Sequence, residues 1–147
     1  MSHAIDPFMA PLLKQLKEAR PVDYSAIPIA EGRKLSEAAN APWNIPRLPI
    51  AHVENMTITG ASGPIPARLY HPAGQETRPL IVFVHGGGWT FGSLESHDGI
   101  ARHLAVESDC AVLAFEYRLA PEHPFPAGLD DALAAMEFAR TGGLGAG

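Results

Sequence analysis

Apolar positions near the start of the chain recur at helical spacing: Phe8, Leu12 and Leu16 stand four apart, with Met9 and Leu13 beside them. Asp6-Pro7 supplies a start signal, a capping carboxylate followed by a proline whose missing N–H is not needed in a first turn. The pattern predicts a short amphipathic helix within residues 1–20, and Pro11 is close enough to its start to move that start later. From 21 to 50 the period is lost. Pro21, Pro28, Pro42, Pro46 and Pro49 punctuate the stretch, and only 30–40 reads as a helix, so a wrapping arm or lid is expected.

Beyond residue 51 the pattern changes. Residues 52–59 and 65–71 alternate around Gly60-Ala61-Ser62-Gly63 and predict a β-hairpin. Residues 80–84 (Leu-Ile-Val-Phe-Val) form an unbroken apolar run, expected as a strand buried on both faces of a parallel sheet. A helix is predicted over 96–108 with Ile100, Ala101, Leu104 and Ala105 on its inner side, then a buried strand over 110–115 joined by a right-handed parallel crossover. Pro121, Pro124 and Pro126 hold an extended loop. A last helix follows, with Asp130 and Asp131 near its positive end, a buried stripe of Leu129, Ala132, Leu133 and Met136, and Gly142 or Gly143 as its stop. A hairpin followed by β-α-β-α is the opening of an α/β fold. We expect 1–50 to be a helical cap segment or arm and 51–147 to be the core. Only two strands of the parallel part are present, so the sheet is expected to be incomplete, with an unpaired hydrophobic edge.

Composition narrows the function. The 147 residues are 46% hydrophobic and 18% charged, the range of one ordinary folded domain. A net charge of −5 without a lysine-rich stretch disfavours nucleic-acid binding, and no apolar run approaches a membrane span or a secretory signal. The single Cys110 cannot pair within the chain; it is expected to be a small core residue and fits a reducing cytoplasm. His97 and His103 are six apart and there is no H-E-x-x-H, so no metal site is expected.

The chemistry concentrates in His85-Gly86-Gly87-Gly88-Trp89, directly after the first buried strand. A dinucleotide fingerprint starting at Gly86 needs glycine where Phe91 stands, and a P-loop starting at Gly87 needs lysine where Ser93 stands. Both phosphate readings fail at the residue that carries their chemistry. The reading that survives beside a plain tight turn is an oxyanion loop. Successive glycines let backbone amides face a developing negative charge with no Cβ between, and a histidine followed by glycines is the lipase and esterase form of that loop.

A second segment, Glu116-Tyr117-Arg118-Leu119-Ala120-Pro121-Glu122-His123-Pro124-Phe125-Pro126, follows the next strand. With His85–Trp89 and Phe91-Gly92-Ser93 it closely resembles the hormone-sensitive-lipase-like esterases of the α/β-hydrolase fold, over residues 80–136. The N-terminal segment resembles that family's cap in position and character. The resemblance implies oxyanion donors on the backbone of Gly87 and Gly88, with Gly86 shaping the turn and His85 orienting the loop rather than acting as a base. Tyr117, Arg118 and Glu122 are implied to be structural, Arg118 and Glu122 through a charge-assisted contact. Glu116 stands where the family more often has aspartate. Phe8, Met9 and Trp43 line an acyl pocket or pack as a stripe on the body. Trp89 lies at the site mouth or serves only packing.

The family's nucleophile sits in G-x-S-x-G, and no such pentapeptide occurs here. Ser62 has the wrong spacing, and Ser93 has Glu95 where the second glycine belongs. Nucleophile, acid and base are therefore expected beyond Gly147, and the chain alone is expected to be inactive. The expected activity is hydrolysis of short-to-medium carboxylic esters without metal or organic cofactor. The expected partner is a C-terminal half, or a second copy associating through the open sheet edge. The alternative is a catalytically inactive fragment or truncated paralogue that acts by binding a partner chain.

Overall fold

Residues 6, 7, 9–18, 22–74 and 78–142 are described by a computed structural model, in two units, Met1–Gly32 and Arg33–Gly147. Residues 33–50 of the expected arm are thus grouped with the second unit. In the first, α1 spans Ala10–Glu18. The Asp6 carbonyl accepts from the amides of Met9 and Ala10 at 2.9 and 3.2 Å, and Pro11 then falls in the first turn, where no backbone donor is required. A 3₁₀ turn, Tyr24–Ala26, is capped by Asp23, whose carboxylate accepts from the Ser25 amide at 3.0 Å. Helix α2 runs Ile29–Asn40, and a second 3₁₀ turn covers Ala41–Asn44.

The second unit is a mixed four-stranded sheet in the order β1-β2-β4-β3, with β1 at His52–Gly60, β2 at Gly63–His71, β3 at Leu80–Phe83 and β4 at Ala111–Phe115. The hairpin forms as its pattern predicts: β1 and β2 pair antiparallel from His52 opposite His71 to Gly60 opposite Gly63. β4 is antiparallel to β2 and parallel to β3, with Val82 beside Leu113. Helix α3 (Asp98–Ser108) connects the parallel pair, and α4 (Ala127–Arg140) follows β4.

The period of two along β4 splits the core into two layers. Leu113 and Phe115 pack with Ile58, Ile65, Ala132 and Ala135 on the α4 side, while Val112 and Ala114 pack with Tyr70, Leu94, Ala101 and Ala105 on the α3 side. All five residues of β4 are buried, each large one worth roughly 1.5–3 kcal/mol over exposure.

Four expectations about burial are corrected. β3 sends side chains into both layers but is only half-buried at every position, because among the described residues it is an edge strand paired with β4 alone. On α3 the expected Ala101 and Ala105 are buried together with Asp98 and Gly99, and Leu104 packs half-buried on the same layer, but Ile100 is 53% exposed. On α4 the buried residues are Gly128, Asp131, Ala132 and Ala135, whereas Leu129, Leu133 and Met136 are 41%, 55% and 57% exposed. Small residues let α4 approach the sheet closely, which rotates its bulky apolar stripe outward. Cys110 precedes β4 and is half-buried, its Sγ 3.4 Å from the Ser108 carbonyl, so it is not a core residue. Gly142, at φ 75°, follows α4; Gly143 lies outside the described residues. Among the described residues no helix is long and apolar enough to cross a membrane.

Candidate active site

β3 delivers the chain to His85, which is 4% exposed. Its ring stacks on Tyr117 at a centroid distance of 4.3 Å, and the Tyr117 hydroxyl donates to the His85 carbonyl at 2.8 Å. Nδ1 lies 2.9 Å from the Gly86 carbonyl, which only accepts, so Nδ1 carries the proton. Nε2 is then a buried acceptor with no hydrogen-bond partner among the described residues, 4.0 Å from Glu116 Oε2. Burial pulls the imidazole below its ordinary pKa, against smaller opposing effects of the Gly86 carbonyl and Glu37. The ring is neutral and wedged against Tyr117. Glu116 is pushed up by burial, and its Oε1 accepts from the Leu94 amide at 2.7 Å.

The loop closes on itself through the Gly87 carbonyl, which accepts from the amides of Thr90 and Phe91 at 3.1 and 2.9 Å. This turn demands glycine. At Gly87 φ is 131°, and an added Cβ would lie 2.0 Å from the Phe91 carbonyl oxygen. Gly88, at φ 60°, is left-handed too, but a Cβ there meets nothing within 4 Å, so this side of the loop is open. The amides of Gly87 and Gly88 donate to no hydrogen-bond partner among the described residues. Trp89 also has a positive φ, 61°, a conformation that costs a non-glycine residue about 1–3 kcal/mol. Its carbonyl accepts from Ala120 at 2.8 Å, and its ring leans on Tyr117 at 5.1 Å and closes against Gly128, where a Cβ would be 2.9 Å away. With Arg118, Phe125 and Leu129, Trp89 also lines a mainly apolar cavity of about 250 Å³.

Trp43 is 60% exposed and lines a shallow groove with Ile100 and Leu104 of α3. Met9 belongs to the N-terminal unit and is 46% exposed, and Phe8 lies outside the described residues. The Arg118–Glu122 contact does not form. Arg118 instead grips Asp131 of α4, Nε to Oδ2 and Nη2 to Oδ1 both at 2.9 Å, with its own amide on Oδ2. Glu122 pairs with Arg33 of α2. The two side chains thus take different partners, on separate helices.

Several supporting residues carry no sequence motif. Asp98 is fully buried and receives Tyr70 Oη at 2.9 Å, Arg68 Nη1 at 3.1 Å and Arg102 Nε at 2.7 Å. Burial pushes its carboxyl up, but the hydrogen bonds from Arg102 and Tyr70 and the charges of Arg102 and Arg47 outweigh that and hold it below the usual range. Asn44 caps α3 from a distance, its Oδ1 accepting from Gly99 at 2.6 Å. Only the i,i+4 spacing of Asp98 and Arg102 was visible along the chain. The Ser96 hydroxyl lies 3.1 Å from His97 Nδ1, but it is buried and already engaged with Ser93, and the carboxylates of Asp98 and Asp131 are held by arginines, so no Ser-His-Asp set assembles among the described residues.

A mixed sheet in the order β1-β2-β4-β3, helices on both faces and a glycine turn at the end of β3 define the opening of an α/β-hydrolase fold. The family described as the alpha/beta hydrolase fold matches residues 81–145. The chain is 39% identical over 137 residues to carboxylesterase NlhH of Mycobacterium tuberculosis, covering 90% of this chain and 42% of that protein. It is 50% identical over 93 residues to the carboxylic ester hydrolase LipN of the same organism, covering 62% of this chain and 25% of LipN. Among solved structures, an esterase of Pyrobaculum calidifontis matches with a TM-score of 0.82 at 37% identity, over 90% of this chain and 43% of that one. The chain belongs to the hormone-sensitive-lipase-like esterase family and corresponds to an N-terminal portion of such an enzyme. It spans less than half the length of these relatives.

Proposed function

We propose that these residues form the oxyanion-loop half of a serine carboxylic-ester hydrolase acting on short-to-medium acyl esters. The observation that carries the reading is the turn after β3, in which the amides of Gly87 and Gly88 donate to no partner among the described residues while the carbonyls of His85, Gly86, Gly87, Gly88 and Trp89 are all engaged. In the reaction a serine hydroxyl outside these residues attacks the ester carbonyl, a histidine taking its proton. The carbonyl oxygen becomes an oxyanion that accepts from Gly87, Gly88 and an amide beside the serine. Collapse expels the alcohol, and water releases the acid from the acyl-enzyme. Gly86 shapes the turn, His85 and Tyr117 hold it, and Trp89 walls the apolar cavity beside it. Within this reading 1–50 act as cap and 51–147 as core, with Phe8, Met9 and Trp43 as candidate acyl-pocket residues.

The polypeptide that supplies the nucleophile is proposed to pack along the edge of β3, which has one strand neighbour and four half-buried apolar residues. A cytoplasmic setting is proposed because the single cysteine is half-buried and unpaired. The test combines intact mass with ester hydrolysis. Turnover is expected from the full-length hydrolase and not from residues 1–147 alone. Strong turnover by 1–147 alone would overturn the missing nucleophile, and an inert full-length protein would favour a non-catalytic partner-binding role.

A further inference from the structure

Arg33, on α2, belongs to no motif, yet its guanidinium spans the two loops that shape the site. Nε donates to the Thr90 carbonyl at 2.9 Å and Nη2 to the Ala120 carbonyl at 2.9 Å. Nη1 and Nη2 also grip Glu122 at 2.9 and 2.6 Å, a bidentate pair that sets the plane of the fork. Both residues it holds are also engaged by the glycine loop: the Thr90 amide donates to the Gly87 carbonyl, and the Ala120 amide donates to the Trp89 carbonyl. A ring of hydrogen bonds therefore runs from Gly87 through Thr90, Arg33 and Ala120 to Trp89, with Gly88 inside it. Gly87 and Gly88 have no side chains of their own to anchor them, and both sit at positive φ. External clamping supplies what side-chain packing cannot.

We propose that Arg33, oriented by Glu122, is a positioning residue for the oxyanion hole, fixing the amides of Gly87 and Gly88 by tying Thr90 to the 118–122 loop. The proposal rests on the ester-hydrolase reading above. Misplacing a reacting partner by an ångström costs up to about 100-fold in rate. In the full-length hydrolase, Arg33→Gln is therefore expected to lower kcat about 10- to 100-fold with KM changed less than about threefold. Arg33→Lys, which reaches one carbonyl and lacks the fork, is expected to recover part of the loss. Glu122→Gln, which keeps Arg33 but loosens it, is expected to fall between wild type and Arg33→Gln.

Hydrogen exchange of residues 86–91 is read in parallel, and it is expected to quicken in Arg33→Gln while β4 stays as slow as in wild type. Unchanged kcat, a rise in KM alone, or exchange quickened across the whole sheet would each overturn the proposal. If Arg33→Gln does not fold, the kcat and loop exchange of Arg33→Lys and Glu122→Gln decide by the same criteria. If the wild type hydrolyses no ester, the functional reading fails by itself, and the clamp stands or falls on whether exchange at 86–91 responds to Arg33→Gln.

Discussion

Substituting alanine at Gly87 and at Gly88 separates an oxyanion loop from a merely tight turn, because the two sites meet different surroundings. At Gly87 the new Cβ would lie 2.0 Å from the Phe91 carbonyl oxygen, where real Cβ atoms keep at least 3.0 Å, so the turn must shift by an ångström or more. A donor 2.9 Å from an oxyanion is out of hydrogen-bonding range after such a shift. Loss of one oxyanion donor costs about 10²–10³ in kcat, about 2.7–4 kcal/mol of transition-state stabilisation. Gly87→Ala is therefore expected to lower kcat by that factor while KM stays near wild type. At Gly88 the Cβ meets no atom within 4 Å; the left-handed backbone costs about 1–2 kcal/mol of stability. The methyl projects into the open side where an ester would approach, so Gly88→Ala is expected to act mainly on KM. Initial rates with a short-chain 4-nitrophenyl ester in the full-length hydrolase give both constants. A raised KM at unchanged kcat for Gly87→Ala would refute the oxyanion assignment.

Three further outcomes are expected. Asp98→Asn leaves Arg68 and Arg102 without their buried carboxylate and should cost about 3 kcal/mol in chemical denaturation; a loss under about 1 kcal/mol would contradict the network's structural weight. Burial holds His85 and His97 below the ordinary 6.5, so the stability they allow is present above 6.5 and lost as pH falls through their lower folded values. Melting temperature should therefore decline from about pH 7 to 5.5 and decline less in His85→Gln; Glu116, raised by burial, has the opposite sign and acts from about 4.5 upward, and a flat profile would refute the assignment. Residues 1–147 alone should self-associate through the β3 edge and the exposed Leu129, Leu133 and Met136, and a clean monomer by sedimentation with cooperative melting would argue against it.

Local chemistry was legible along the chain. The hairpin follows from alternation around Gly60 and Gly63, β3 and β4 from their apolar runs, and the glycine turn from residues that only a left-handed or sterically crowded backbone selects. These signals lie within a few residues of one another, and each has few structural solutions. The tertiary structure alone decided which neighbour each strand took, and with it that β4 is fully buried while β3, equally apolar, is half-exposed. It also chose between chemically equivalent partners. Arg118 had Glu122 close in sequence and Asp131 farther along, and it took Asp131 because α4 packs that carboxylate beneath it. Arg33 found Thr90 and Glu122 some sixty to ninety residues away. An arginine side chain reads the same wherever it stands, so its partner is set by the packing of backbones and not by the residue type.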